Sequence, residues 1–254
     1  MNARGQWNPR RIQRPLVNLA IFAVFLAGPV IQTGFGQWAY QSATIQWDTL
    51  TIVNDPSLTI EWTSIVEPAK RTVVGGNMLP FEDGTFIEVA DWATLTSGQT
   101  IGAATTSRVA NDAVLQVSNS IAEPATVSLY STAFRTGAFV AHGEGTLTIS
   151  VGFSHAYNVP SLAPFTFGYV TEQLNLGEFG GPTNYDERVV SFSSLGPQAE
   201  NGTLSVNYHF LDGQNGRFAV AAAAEISTVP EPSTLIFLSM ASFPLAFLGT
   251  WRKR

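Results

Sequence analysis

Cysteine is absent from the 254 residues. That excludes a disulfide framework, a thiolate metal site and a cysteine nucleophile. It does not argue against export, because a domain of this size buries enough apolar surface without covalent staples. Charge is also scarce, with Asp, Glu, Lys and Arg together making up 13% of the chain. Histidine occurs only at His142, His155 and His209, spacings too wide for a local metal-binding pair. There is no H-E-x-x-H, no G-x-S-x-G, no Walker loop and no G-x-G-x-x-G after a strand, so the common hydrolase and nucleotide-binding signatures are missing. No internal repeat is visible, which disfavours a propeller or a solenoid. Gly, Ser, Thr and Ala are plentiful instead, the composition of an all-β extracellular protein with many turns.

The scarce charges are unevenly placed. Arg4, Arg10, Arg11 and Arg14 precede an apolar stretch over residues 16–31, and the small residues Gly34 and Gly36 follow. Residues 1–36 therefore read as a secretory signal peptide of the Sec type, with cleavage expected after Gly36. Between residues 37 and 228 stand six cations and 18 carboxylates, a formal charge of −12. Such an acidic body repels nucleic acid and anionic lipid, which excludes nucleic acid as a partner.

Residues 229–254 have three parts. Pro230-Glu231-Pro232 breaks any strand or helix. An uncharged apolar run over residues 235–250 follows, about 17 helical residues or roughly 25 Å, slightly short of a ~30 Å hydrocarbon core. Trp251 suits the headgroup layer, and Arg252, Lys253 and Arg254 suit the cytoplasmic side. The tail is expected to be a short membrane helix. Cationic flanks at both extremities hold both ends inside, so the body lies outside the cytoplasmic membrane.

These three parts, in this order, resemble the PEP-CTERM sorting signal. The resemblance covers about 26 residues. It implies a bacterial envelope protein, anchored in the inner membrane and then displayed at the cell surface or secreted. It also implies processing by an exosortase-type enzyme and an association with extracellular polysaccharide and biofilm matrix. It assigns Pro230, Glu231, Pro232, Arg252, Lys253 and Arg254 to the sorting signal, and says little about the cargo.

The cargo, residues 37–228, is dominated by period-2 patterning. In residues 146–154, Leu147, Ile149, Val151 and Phe153 alternate with Thr and Ser. Residues 203–210 place Leu204, Val206, Tyr208 and Phe210 on one face, with His209 on the wet one. A turn over residues 212–216 and a return strand over 217–227 predict a hairpin. Weaker strands are expected over residues 44–53, 58–65, 85–92, 100–110, 113–120, 125–134 and 189–194, with a bulge or bend between Trp47 and Leu50. Eight to ten strands with one apolar face each call for a second sheet. The expected fold is a single all-β sandwich of jelly-roll type, with a closed barrel as the runner-up.

Residues 157–187 lose the alternation and read as a long loop. Its aromatic residues and acids make Tyr157, Tyr169 and Tyr185 the candidate ligand-binding residues, suited to stacking on sugar rings; the alternative is that they pin the loop to the body. Calcium is the one cofactor considered, at Asp212-x-Gln214-x-Gly216 and Phe81-Glu82-Asp83-Gly84. Both lack the later bidentate Glu and also fit ordinary turns. Asp186-Glu187 is a poor glycosidase pair, because neighbours on a strand point to opposite faces. No catalytic or metal-ligating residue is assigned. The reading is a non-enzymatic envelope or matrix protein, with a glycan- or calcium-binding lectin-like module as the alternative.

Overall fold

The computed structural model describes residues 39–64, 68–80, 82–123, 126–158, 166–191 and 198–228, except the side chains of residues 82, 83 and 166. The expected signal peptide and tail helix and the six residues assigned to the sorting signal lie outside this set. The described residues form strands and turns and no helix. In chain order the strands are β1 (Ala39–Asn54), β2 (Thr59–Trp62), β3 (Lys70–Leu79), β4 (Glu82–Ala90), β5 (Leu95–Ile101), β6 (Ala104–Ala110) and β7 (Val114–Ile121). There follow β8 (Val127–His142), β9 (Gly145–Asn158), β10 (Thr166–Glu178), β11 (Thr183–Ser191), β12 (Gln198–Phe210) and β13 (Asn215–Thr228).

They make two antiparallel sheets. The first runs β12-β9-β1-β7-β6-β5 and the second β11-β10-β13-β8-β3-β4, with the short β2 also paired to β8. One apolar core lies between them. The first sheet contributes Ile45, Leu115, Leu147, Ile149 and Leu204; the second contributes Val74, Leu129, Phe139, Leu174, Val220 and Ile226. This is the expected all-β, two-sheet, sandwich-like fold. Period-2 alternation produces it because each strand must bury one face, and a second sheet supplies the cover.

Several strands differ from expectation, each for a physical reason. The predicted strand over residues 100–110 is two strands, folded back at Gly102, whose φ of 57° favours glycine. β3 carries no clean alternation because Gly75 and Gly76 interrupt it. Gly76 is required, since a Cβ there would collide with the Tyr130 carbonyl. The slip between Trp47 and Leu50 is a real bulge: the β1–β9 register shifts between Gln46 and Thr51. The Thr49 hydroxyl fills the gap, accepting the Gly152 N–H at 2.7 Å.

Two expectations are overturned. Residues 203–227 do not form a hairpin. β12 pairs with β9 in the first sheet and β13 with β8 and β10 in the second, so the Asp212-Gly213 turn is a corner between sheets. Periodicity specifies which face is apolar but not whether a turn stays in plane. Nor are residues 157–187 a long loop, because β10 and most of β11 lie inside that stretch. On β10, Val170, Glu172, Leu174 and Leu176 all face the core, and the acid in that series hid the alternation.

Both ends of the folded body leave from one pole. Ala39 at the start of β1 pairs with Ile121 at the end of β7. Thr228 at the end of β13 pairs with Val127 at the start of β8. Residues 122–126 join those two partners, so Ala39 and Thr228 sit at the same end of the two sheets.

Candidate functional site

The three tyrosines singled out from the sequence are not brought together. Tyr157 lies on the inner face of β9, buried, and burial beside Glu200 pushes its hydroxyl pKa up. Tyr169 and Tyr185 lie on the outer face of the second sheet. Tyr169 stands opposite Glu225 on β13, which stands opposite Tyr130 on β8. A hydrogen bond joins Tyr169 to Glu225, and burial raises both groups above their ordinary values. Tyr185 is opposite Asn175 on the edge strand β11 and 66% exposed.

The densest chemistry lies elsewhere, inside the sandwich and across its two sheets. His155 is in the inward phase of β9, and Glu172 in the inward phase of β10. His155 Nδ1 is 3.1 Å from Glu172 Oε2 and both side chains are buried. On the other side of the ring, Nε2 is 3.8 Å from Glu200 Oε2, and Glu200 Oε1 is 3.6 Å from Arg188 Nε at the surface. A chain of alternating acid and base thus runs from the core to the rim. Burial drives the Glu172 carboxyl up, while the bond from His155 pulls it down; burial is the larger effect. Glu172 Oε1 has no hydrogen-bond partner among the described residues. His155 stacks on Phe153 with centroids 6.1 Å apart, which fixes the ring plane.

Next to this network a polar row crosses the inner face of the first sheet. Tyr157 pairs with Gln41, Gln41 with Asn119, and Asn119 with Thr106. Asn119 pins one sheet to the other. Its Nδ2 donates to the Leu129 and Ala224 carbonyls of the second sheet, at 3.3 and 2.9 Å. Ser131 Oγ donates to Asn119 Oδ1 at 2.6 Å, and Arg108 Nε donates to Ser131 Oγ at 3.3 Å. Both amide atoms of the fully buried Gln41 lack a partner among the described residues. Unmet polar groups of this kind cost about 1–3 kcal/mol each, or are met by internal water.

The far end of the core is closed by tryptophan. Trp92 packs edge-on against Trp47 and Trp62, with centroids at 5.1 and 5.5 Å, and its Nε1 donates to the Thr136 carbonyl. Lys70 Nζ lies 4.7 Å from the Trp92 ring, and the buried Arg135 guanidinium 4.8 Å from that of Trp47. Arg135 also donates to Thr72, to the Asn111 carbonyl and to the Trp92 carbonyl. Asp91 and Trp92 both adopt left-handed backbone, φ 58° and 55°, a strain of order 1 to 3 kcal/mol per residue. The Trp92 contacts offset it. No sequence spacing could have assembled this plug, because Trp47, Trp62, Lys70, Trp92 and Arg135 come from five separate segments.

The Asp212–Gly216 loop weighed for calcium uses its side-chain oxygens internally. Asp212 Oδ1 accepts the Gly143 N–H and Gln214 Oε1 the Leu211 N–H. The side chains of residues 81–83 lie outside the described set. Among the described residues no group of three or more His, Asp or Glu could hold a metal ion. Asp186 and Glu187 diverge as expected: Asp186 accepts the Ser205 N–H of β12, while Glu187 is on the outer face opposite Gln173.

No protein-family model matches the chain, and no curated protein or solved structure does either. The class of the protein therefore rests on its architecture: an all-β body of two antiparallel sheets, with a buried His155–Glu172 hydrogen bond between them.

Proposed function

We propose that this chain is an exported, non-enzymatic envelope or matrix protein, held at the outer face of the inner membrane by its PEP-CTERM-like tail and released by processing there. The observation that carries the reading is positional. β13 ends at Thr228, two residues before Pro230, and β1 begins at Ala39, just past the expected signal cleavage. Both connections leave the same pole, so a membrane-held tail and a signal segment would meet the bilayer on one side of the body. An exosortase-type enzyme is the partner this requires.

Replacing Pro230-Glu231-Pro232 with alanines tests this reading. Membrane insertion is expected to stay intact while release into the medium falls at least tenfold, as read by fractionation and immunoblot. Equal release of variant and wild type would remove the proposal.

A second reading, glycan binding, draws on the outer face of the second sheet, where Tyr169 and Tyr130 flank Glu225 and the exposed Tyr185 stands farther along the same face, opposite Asn175. Aromatic rings beside acid and amide groups suit sugar faces and hydroxyls. Saturable polysaccharide binding, weakened by Tyr185→Ala, would support it.

A further inference from the structure

We propose that strand β4 is an assembly edge and that its partner is the β4 strand of a second copy of this chain. The four sheet edges are not equivalent. β11 and β12, the edges on one side of the sandwich, are tied to each other by side chains. Asp186 accepts the Ser205 N–H at 2.8 Å, and Asn184 Nδ2 donates to the Asn207 carbonyl at 2.7 Å. On β12 these bonds occupy the Ser205 N–H and the Asn207 carbonyl, two of the backbone groups that would otherwise recruit a foreign strand.

The opposite side is different. β4 pairs only with β3. Phe86 on its outer face is 51% exposed and Ile87 on its inner face 46% exposed. An edge that leaves apolar side chains uncovered on both faces is a template for strand addition. It contains no proline and no lysine, the residues that commonly block such pairing.

The sequence of the edge selects the partner. The β3–β4 register slips between Gly76 and Met78, placing an extra β4 residue near Gly84, so the regular edge is residues 85–90. A two-fold antiparallel pairing keeps inner face against inner face, and residue numbers in each pair then sum to an even value. Centred on Ile87, it sets Ile87 opposite Ile87, Thr85 opposite Val89 and Phe86 opposite Glu88. No carboxylate then stands opposite another within residues 84–90. The inner face gains three cross-strand pairs rich in β-branched residues, and the Glu88 carboxylate stays with Arg71 at 3.3 Å. The edge is therefore complementary to itself, and the second sheet would continue across the two-fold axis. The proposal stands on the folded body alone and does not depend on processing of the tail.

The absence of cysteine makes the test direct. Residues opposite each other in an antiparallel pair have Cα atoms about 4.5–5.5 Å apart, within the disulfide range of about 4.4–6.8 Å. The full chain carrying Ile87→Cys, extracted in mild detergent and oxidised, should run predominantly as a covalent dimer on a non-reducing gel. Val53→Cys and Leu211→Cys, at positions 62% and 54% exposed, should cross-link at least tenfold less. Phe86→Cys mixed with Glu88→Cys should cross-link more than either alone. In the cysteine-free chain, Ile87→Lys should convert a sedimenting dimer to monomer with unchanged β-sheet circular dichroism. A monomeric wild type, a dimer that survives Ile87→Lys, or equal cross-linking at Val53 would overturn the proposal.

Discussion

Glu172 sits fully buried between the sheets with one oxygen bonded to His155 and the other unmet among the described residues. Its pKa is raised by burial, so the folded chain retains the proton at pH values where the unfolded chain has released it. Stability from this group is therefore greatest below the unfolded value and declines as pH rises through the folded one. Glu172→Gln removes that titration. The variant should gain stability relative to wild type as pH rises from about 4.5 to 8, measured as the difference in urea midpoint. A difference that shrinks over that range would contradict the placement of this carboxylate. The sequence could not have exposed the pair: His155 and Glu172 are 17 residues apart on strands of different sheets, and an acid inside an apolar phase reads as a break in the strand.

At the level of elements, β10 shows how much the strand pattern reveals and where it stops. β9 and β12 were legible because every inward position from Leu147 to Phe153 and from Leu204 to Phe210 is apolar. β13 was legible too, since Phe218, Val220 and Ile226 keep one phase across the run of small residues Ala221–Ala224. β10 was not legible, because Glu172 replaces an apolar residue and Gly168 and Gly177 weaken the β signal. Gly168 is there for packing: a Cβ at that position would meet the Glu225 carbonyl of β13. Gly168→Ala should destabilise the body by roughly 2 kcal/mol or more by parting β10 from β13. Gly213→Ala, where a Cβ would meet nothing but φ is 75°, should cost about 1 kcal/mol. Equal midpoints for the two variants would show that the close approach is absent. Pairing partners were the least legible feature. The bulge near Thr49 follows from local phase, whereas the corner at Asp212 depends on which sheet lies beneath, a non-local fact.

As a whole molecule, the chain divides its surface by pole and by side. One pole carries both exits, at Ala39 and Thr228. The opposite pole carries the turns at residues 143–144 and 211–214, where Asp212 caps the backbone. One lateral side is tied shut by Asp186 and Asn184, and the other presents β4. This arrangement suits a body hung from a membrane by one end, with an edge left free for lateral assembly. The most direct test of the account is mass spectrometry of both termini of the native protein, combined with the cell fraction that contains it. The expected product begins near Gln37, ends between Val229 and Leu235, and is found in the envelope or the medium. A polypeptide intact from Met1 to Arg254 and soluble in the cytosol would contradict it.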